Sequence, residues 1–246
     1  MTEAQQPDLV FICGPSYRCG STLIQRVLNI HPEVLVYGED NNILKLGRVL
    51  YEHSLGSAEH NEQDKNFKDD PFTWQANLGA VPDIYLQAYA RFFSEVILSP
   101  RRAEQVGRDI TKQQYVGIKT LFNSPLELKF AKWLLPSCKI IFCARAYKDC
   151  LRSYMRQEWS NMHHHDYYHM WSQSMEALDT AHSQIDLVID YKTEFNADEL
   201  TEQLQALLPR VTLDVEQIRK VTETKLVFEE NKPINTDPLP IWTQYA

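Results

Sequence analysis

The 246-residue chain has no long apolar run. Its best stretches, Leu9 to Cys13 and Ile140 to Ala144, stop at strand length, far short of the ~18 consecutive apolar residues of a membrane helix, so no membrane partner is expected. The N-terminal MTEAQQPD lacks the basic and apolar regions of a secretory signal, which sets the expectation of a cytoplasmic protein. Basic residues are in deficit, 25 Lys+Arg against 33 Asp+Glu for a net charge of -8. A general electrostatic grip on nucleic acid is thereby excluded, and any bound anion must be met by a local cluster of donors. Cysteines number only five, Cys13, Cys19, Cys138, Cys143 and Cys150, an odd count without a CxxC pair and mostly in apolar surroundings; free buried thiols are expected. Repeats and low-complexity tracts are also missing, which removes solenoids and propellers.

What remains is an ordinary globular composition, 43% hydrophobic and 24% charged, at a length suited to a single domain over residues 1–246. Short apolar runs at Leu9 to Cys13, Val34 to Tyr37, Val116 to Lys119, Lys139 to Ala144 and Leu187 to Ile189 read as strands. Helical spacing or helix-start residues follow Ser21 and mark Pro82 to Leu98, Pro125 to Leu135, Lys148 to Trp159, Tyr167 to His182 and Ala197 to Leu208. Ser54 to Pro71, rich in polar and turn-forming residues, reads as a surface excursion. The alternation predicts an α/β fold with three layers, a mostly parallel sheet with helices on both faces. Ligands of such sheets bind beyond the carboxyl ends of the strands, just after Cys13, Tyr37, Ile118 and Ala144.

The first of these loops is Gly14-Pro15-Ser16-Tyr17-Arg18-Cys19-Gly20-Ser21-Thr22, opening a helix. Backbone N–H groups, a helix N-terminus, two hydroxyls and Arg18 together suit a phosphate or sulfate. The GxxxxGK[ST] loop of nucleotide triphosphatases is the obvious rival, but Ser21 stands where its lysine would be and the glycines are one position too far apart. The stretch RCGSTLIQRVLNIHPEVLVYGED resembles instead the phosphosulfate loop of sulfotransferases, closest in pattern to their tyrosylprotein and carbohydrate branch. The resemblance implies a fold like that of the P-loop NTPases. It also implies 3'-phosphoadenosine 5'-phosphosulfate as donor, released as adenosine 3',5'-bisphosphate, and Arg18, Cys19, Gly20, Ser21 and Thr22 as ligands of its 5' end.

A second segment, Arg145-Ala-Tyr-Lys-Asp149-Cys-Leu-Arg-Ser153-Tyr154, is similar to the RDPxDxxxSY element that holds the donor's 3'-phosphate, with Arg145 and Ser153 falling on its two ligands. Ala146 and Tyr147 depart from the family's Asp-Pro; the lost proline is a helix-start preference, not a ligand. Read without the family, Arg145 could instead pair with Asp149, and Ser153 could make a local helix bond.

Sulfuryl transfer needs an in-line nucleophile, cations around the transferred group and usually a base. Tyr115-Val-Gly-Ile-Lys119-Thr120-Leu121 is similar to the VKTH segment of cytosolic sulfotransferases, but Leu121 replaces the histidine that acts there as base. Glu39 in YGED matches the glutamate base of the tyrosylprotein branch, so the expected catalytic set is Glu39, Lys119 and Arg18. Glu39 could alternatively cap a helix starting near Asn41, Asp40 could do either job, and Lys119 could be a surface strand end. The run His163-His164-His165-Asp166 with His169 reads as surface or pocket lining, and no metal is expected. His31 before Pro32 reads as structural, and the aromatics Tyr154, Trp159, Tyr167, Tyr168 and Trp171 read as helix packing. LVIDYKTEF resembles a strand-to-helix marker of the family's fold, and Lys232 and Thr236 lie where relatives place a loop over the nucleotide.

The expected function is thus a sulfotransferase acting on a hydroxyl or amine of a small-molecule acceptor, a neutral or cationic one if the excess carboxylates have a say. A homodimer is allowed for. The alternatives are a catalytically silent nucleotide-binding module and a small-molecule kinase, the latter disfavoured by the missing lysine after Gly20.

Overall fold

A computed structural model describes residues 6–39, 44–53, 82–121, 125–157, 160–191 and 196–224. Five strands, β1 (Asp8–Cys13), β2 (Val34–Tyr37), β3 (Tyr115–Lys119), β4 (Lys139–Ala144) and β5 (Leu187–Asp190), form one sheet in the order β2-β3-β1-β4-β5. Every pairing is parallel. β1 is central, with Val10 opposite Gly117 on one side and Lys139 on the other. The chain leaves β1 toward β2 and β3, then crosses back to β4 and β5. The loop after β1 therefore lies where the direction of winding reverses, the crevice in which such sheets bind ligands.

Alternate residues of β1 feed two separate cores. Val10 and Ile12 pack with Ile24, Val27 and Leu28 of α1 (Ser21–Asn29), Leu200 and Leu204 of α8 (Ala197–Leu207) and Ile218 of α9 (Val215–Glu223). Phe11 and Cys13 pack on the other face with Phe93 and Ile97 of α3 (Pro82–Ile97) and Leu128 and Ala131 of α5 (Pro125–Leu134). This period-two division explains why the strand sequences read as continuous apolar runs: both faces are covered. The three-layer α/β architecture expected from the alternation of elements is what the chain adopts.

Helix α6 (Tyr147–Met155) and helix α7 (His164–Thr180) follow β4. α7 contributes to both cores, Tyr167 to the first and Ala177 to the second, so it wraps the sheet at this end. α6 stops at Met155, short of the Trp159 expected from periodicity, and α7 begins three residues before the expected Tyr167 because the His163 imidazole caps it, accepting from the His165 N–H at 3.2 Å. A helix over 44–53 (α2) follows the start near Asn41 that the sequence allows, whereas the helices at Pro100–Gln105 (α4) and Val215–Glu223 (α9) are additions to the expected set. α9 starts on a plain signal, Asp214 accepting from the N–H groups of Glu216 and Gln217 at 2.9 and 3.3 Å. The excursion from Ser54 to Pro71, with Asp40, Asn41, Trp159, Lys232 and Thr236, lies outside the described residues. All five cysteines are buried free thiols.

Candidate active site

The loop between β1 and α1 turns twice through left-handed backbone. Gly20, the N-cap of α1, has φ 103°, and Arg18 has φ 69°. A Cβ on Gly20 would meet the Tyr191 ring at 2.1 Å, so both backbone conformation and space require glycine there. A Cβ on Gly14 would fall 2.2 Å from the Cys19 sulfur, which lets the loop fold down onto its own buried thiol. No side chain caps α1, and its first turn carries no acidic residue. Its leading N–H groups and positive dipole end are thus offered to an external anion.

Residues that are far apart in sequence converge on this loop. The Arg18 Nε donates to Ser153 Oγ at 3.1 Å, joining the loop to α6. The Arg145 guanidinium, at the end of β4, donates to the Arg18 carbonyl at 2.7 Å. Asp149 sits 3.5 Å from Arg152 instead, so the local pairing of Arg145 with Asp149 is not the one adopted. Burial pushes the Arg18 pKa down, and the nearby positive charge of Arg145 pushes it further. An anion bound at this loop would offset the positive charge that weighs on Arg18.

At the end of β3, Lys119 Nζ lies 3.1 Å from Thr22 Oγ1 and 3.0 Å from Glu39 Oε1. Lys119 is therefore more than a surface strand end: its side chain is only 14% exposed, while Glu39 is 47% exposed and reachable from solvent. Burial raises the Tyr17 pKa, and the Glu39 carboxylate adds to the rise, so that carboxylate is within electrostatic reach of the loop. Arg18, Cys19, Gly20, Ser21, Thr22, Glu39, Lys119, Arg145 and Ser153 thus share one end of the sheet. Cys19 is the exception in character, fully buried beneath the loop, where its side chain supports rather than contacts a ligand.

Three further residues belong to this constellation. Tyr191, just past β5, packs on Gly20 and lies under the Arg145 guanidinium, 4.2 Å from ring centroid to carbon. The segment LVIDYKTEF is thus more than a fold marker, and the available signal was position: an aromatic immediately after a strand's carboxyl end. Tyr167 and Trp171 on α7 are also more than packing. The Tyr167 hydroxyl donates to the Tyr17 carbonyl at 2.5 Å and lies 3.0 Å from Ser16 Oγ; the Trp171 Nε1 donates to the Arg145 carbonyl at 3.0 Å. Burial pushes the Tyr167 pKa up, so the phenol keeps its proton and remains a donor. His31 is structural, its Nδ1 accepting from the Glu33 N–H at 3.2 Å.

A parallel sheet that gathers arginines, a lysine and an uncapped helix N-terminus at its carboxyl edge is an α/β arrangement suited to an anion. A sulfotransferase family model matches residues 7–217, the span that holds all of these groups, and the chain belongs to the sulfotransferase family. No curated protein sequence matches it significantly. Among solved structures, it is similar to a putative kinase from Chloroflexus aurantiacus at 12% identity and TM-score 0.37, covering 82% of this chain and 98% of that one. It is also similar to shikimate kinase from Acinetobacter baumannii, at 12% identity and TM-score 0.32, covering 83% and 94%. No helix among the described residues is long and apolar enough to cross a membrane.

Proposed function

We propose that the protein transfers a sulfuryl group from 3'-phosphoadenosine 5'-phosphosulfate to a hydroxyl or amine of a small-molecule acceptor, with no metal in the site. The observation that carries this reading is the joining of two anion sites through Arg18. Its backbone carbonyl receives Arg145 and its side chain reaches Ser153, while the loop it belongs to opens α1. A donor with phosphates at both ends suits that double arrangement, and the positive groups suit its charge.

In this reading Arg145 and Ser153 hold the 3'-phosphate, and the N–H groups from Cys19 to Thr22 hold the 5'-phosphosulfate. The donor supplies an activated sulfur–oxygen bond. Glu39 takes the proton from the acceptor as its oxygen or nitrogen bonds to sulfur, while Lys119, Thr22 and Arg18 stabilise the charge collecting on the phosphate oxygen that leaves. Lys119 is suited to this because it already touches both the loop hydroxyl and the base. The Glu39 base links the protein to the tyrosylprotein and carbohydrate branch. We read the chain as one catalytic domain of a cytoplasmic enzyme, with the option of a homodimer. The net charge of -8 favours neutral or cationic acceptors and no nucleic acid.

The test is transfer of radiolabelled sulfate from the donor to a panel of small neutral, cationic and anionic acceptors. Label in an acceptor, abolished with adenosine 3',5'-bisphosphate as competitor, supports the reading. Tight donor binding by calorimetry with no transfer to any acceptor would favour a silent binding module, and ATP-dependent phosphorylation would favour a kinase. If the anionic acceptors turned over fastest, the charge argument would be abandoned.

A further inference from the structure

An anion loop works only if its peptide N–H groups turn toward the ligand, and each such turn swings a carbonyl to the opposite side. A buried carbonyl turned away from water needs a donor of its own. Arg18, with φ 69°, is the point at which this loop makes its turn, and the carbonyls on either side of that residue's backbone are both met. The Tyr17 carbonyl receives the hydroxyl of Tyr167, and the Arg18 carbonyl receives Arg145. Arg145's own carbonyl receives the indole N–H of Trp171. Tyr167 and Trp171 are i and i+4 on α7, so a single face of that helix reaches the backbone of both anion sites.

We propose that Tyr167 is a positioning residue: its hydroxyl holds the Arg18 turn in its anion-gripping form, while Trp171 does the same for the Arg145 strand end. α7 thereby sets the affinity of the two ends of the donor separately. The inference rests on the donor reading above. Ser16 completes the device: its hydroxyl donates to the same Tyr17 carbonyl at 3.1 Å and stands 3.0 Å from the phenol oxygen, so it backs the contact that Tyr167 makes. Tyr167 is fully buried and its ring lies 4.8 Å from that of Tyr154, so removing the hydroxyl alone leaves the packing in place.

Calorimetry with two nucleotides tests this, adenosine 3',5'-bisphosphate and adenosine 3'-monophosphate, which lacks the group the loop would hold. Tyr167→Phe is expected to weaken the bisphosphate about tenfold and to leave the monophosphate within about twofold. Trp171→Phe is expected to weaken both alike, leaving their ratio unchanged. Equal losses, or none, in Tyr167→Phe would overturn the proposal. Tyr154→Phe removes a comparably buried hydroxyl that instead receives the Asn161 and Met162 N–H groups, at 3.1 and 2.9 Å. If it lowered the bisphosphate preference as much as Tyr167→Phe, the effect would belong to the aromatic stack and the proposal would fall. Should Tyr167→Phe not fold, Ser16→Ala serves in its place: a smaller loss of the same preference supports the device, and an unchanged preference overturns it. Should the wild-type protein bind neither nucleotide, the donor reading fails by itself. Inorganic sulfate then becomes the loop probe, with a loss of about tenfold in Tyr167→Phe still required.

Discussion

Lys119 and Glu39 meet at 3.0 Å, the lysine mostly covered and the carboxylate half open to solvent. The pair joins the ends of β3 and β2, two strands adjacent in the sheet, so the parallel register delivers both side chains to one edge. The partly exposed geometry makes the pair a weak contributor to stability, which leaves it free to be rearranged by a ligand.

Replacing Glu39 tests the base. In Glu39→Gln, kcat at saturating donor should fall by about 10²–10⁴, with adenosine 3',5'-bisphosphate affinity within about twofold of wild type. Steady-state kinetics alongside calorimetry separates the two, and near-full turnover would remove Glu39 from the mechanism.

Lys119→Ala should lower kcat because positive charge is lost where the leaving oxygen develops its own charge, by about 10²–10³. Lys119→Arg should recover only part of it, since the fork of a guanidinium does not reproduce a point ammonium between Thr22 and Glu39. Equal activity of all three proteins would show that the lysine is structural.

Arg145→Ala should weaken adenosine 3',5'-bisphosphate by about 10- to 100-fold, the range for a charge-assisted contact. An otherwise identical nucleotide without the 3'-phosphate should lose far less. Competition binding with both ligands reads the difference, and an equal loss would return Arg145 to a purely structural role at the Arg18 carbonyl.

Gly20→Ala should fold less stably, with about 1–2 kcal/mol from the left-handed backbone alone and more from the Tyr191 ring 2.1 Å away. Donor affinity should drop at least ~tenfold, because the first-turn N–H groups of α1 are displaced. Thermal melts and calorimetry check the two effects, and unchanged binding would show that the loop does not grip the donor.

Alkaline pH should destabilise the fold through its buried thiols. Burial pushes Cys138 from 9.0 to about 12. Between those values the unfolded chain has released a proton that the folded protein still holds, so this contribution is complete below pH 9.0 and is lost as pH rises toward about 12. Denaturant melts of Cys138→Ala across that range should show a shallower decline than wild type; identical slopes would exclude the thiol as the cause.

The five strands and the two segments proposed to bind the donor's phosphates were legible in the amino-acid sequence because each is a local pattern. Strands buried on both faces are short apolar runs, a glycine-bounded loop before a helix suits an anion, and Arg145 and Ser153 stand on the two sides of a single strand-helix junction. The helices α4 and α9 were harder. α4 is six residues long, and α9 carries a single fully buried core residue, Ile218, so neither writes a strong periodic stripe.

Tertiary structure alone decided how the local pieces answer one another. No spacing foretells that Arg18 will reach Ser153 across 135 positions, that Lys119 will bridge Thr22 and Glu39, or that Tyr167 will hold the Tyr17 carbonyl across 150. Those contacts follow from strand order and helix placement: β3 and β4 flank β1, so their carboxyl ends lie beside its loop, and α7, which contributes to both cores, brings Tyr167 to the Tyr17 carbonyl. Residue types and local spacing determined which chemistry the chain could carry. Sheet order and helix placement determined which of those residues meet, because hydrogen bonds and ion pairs act over ångströms and are indifferent to distance along the chain.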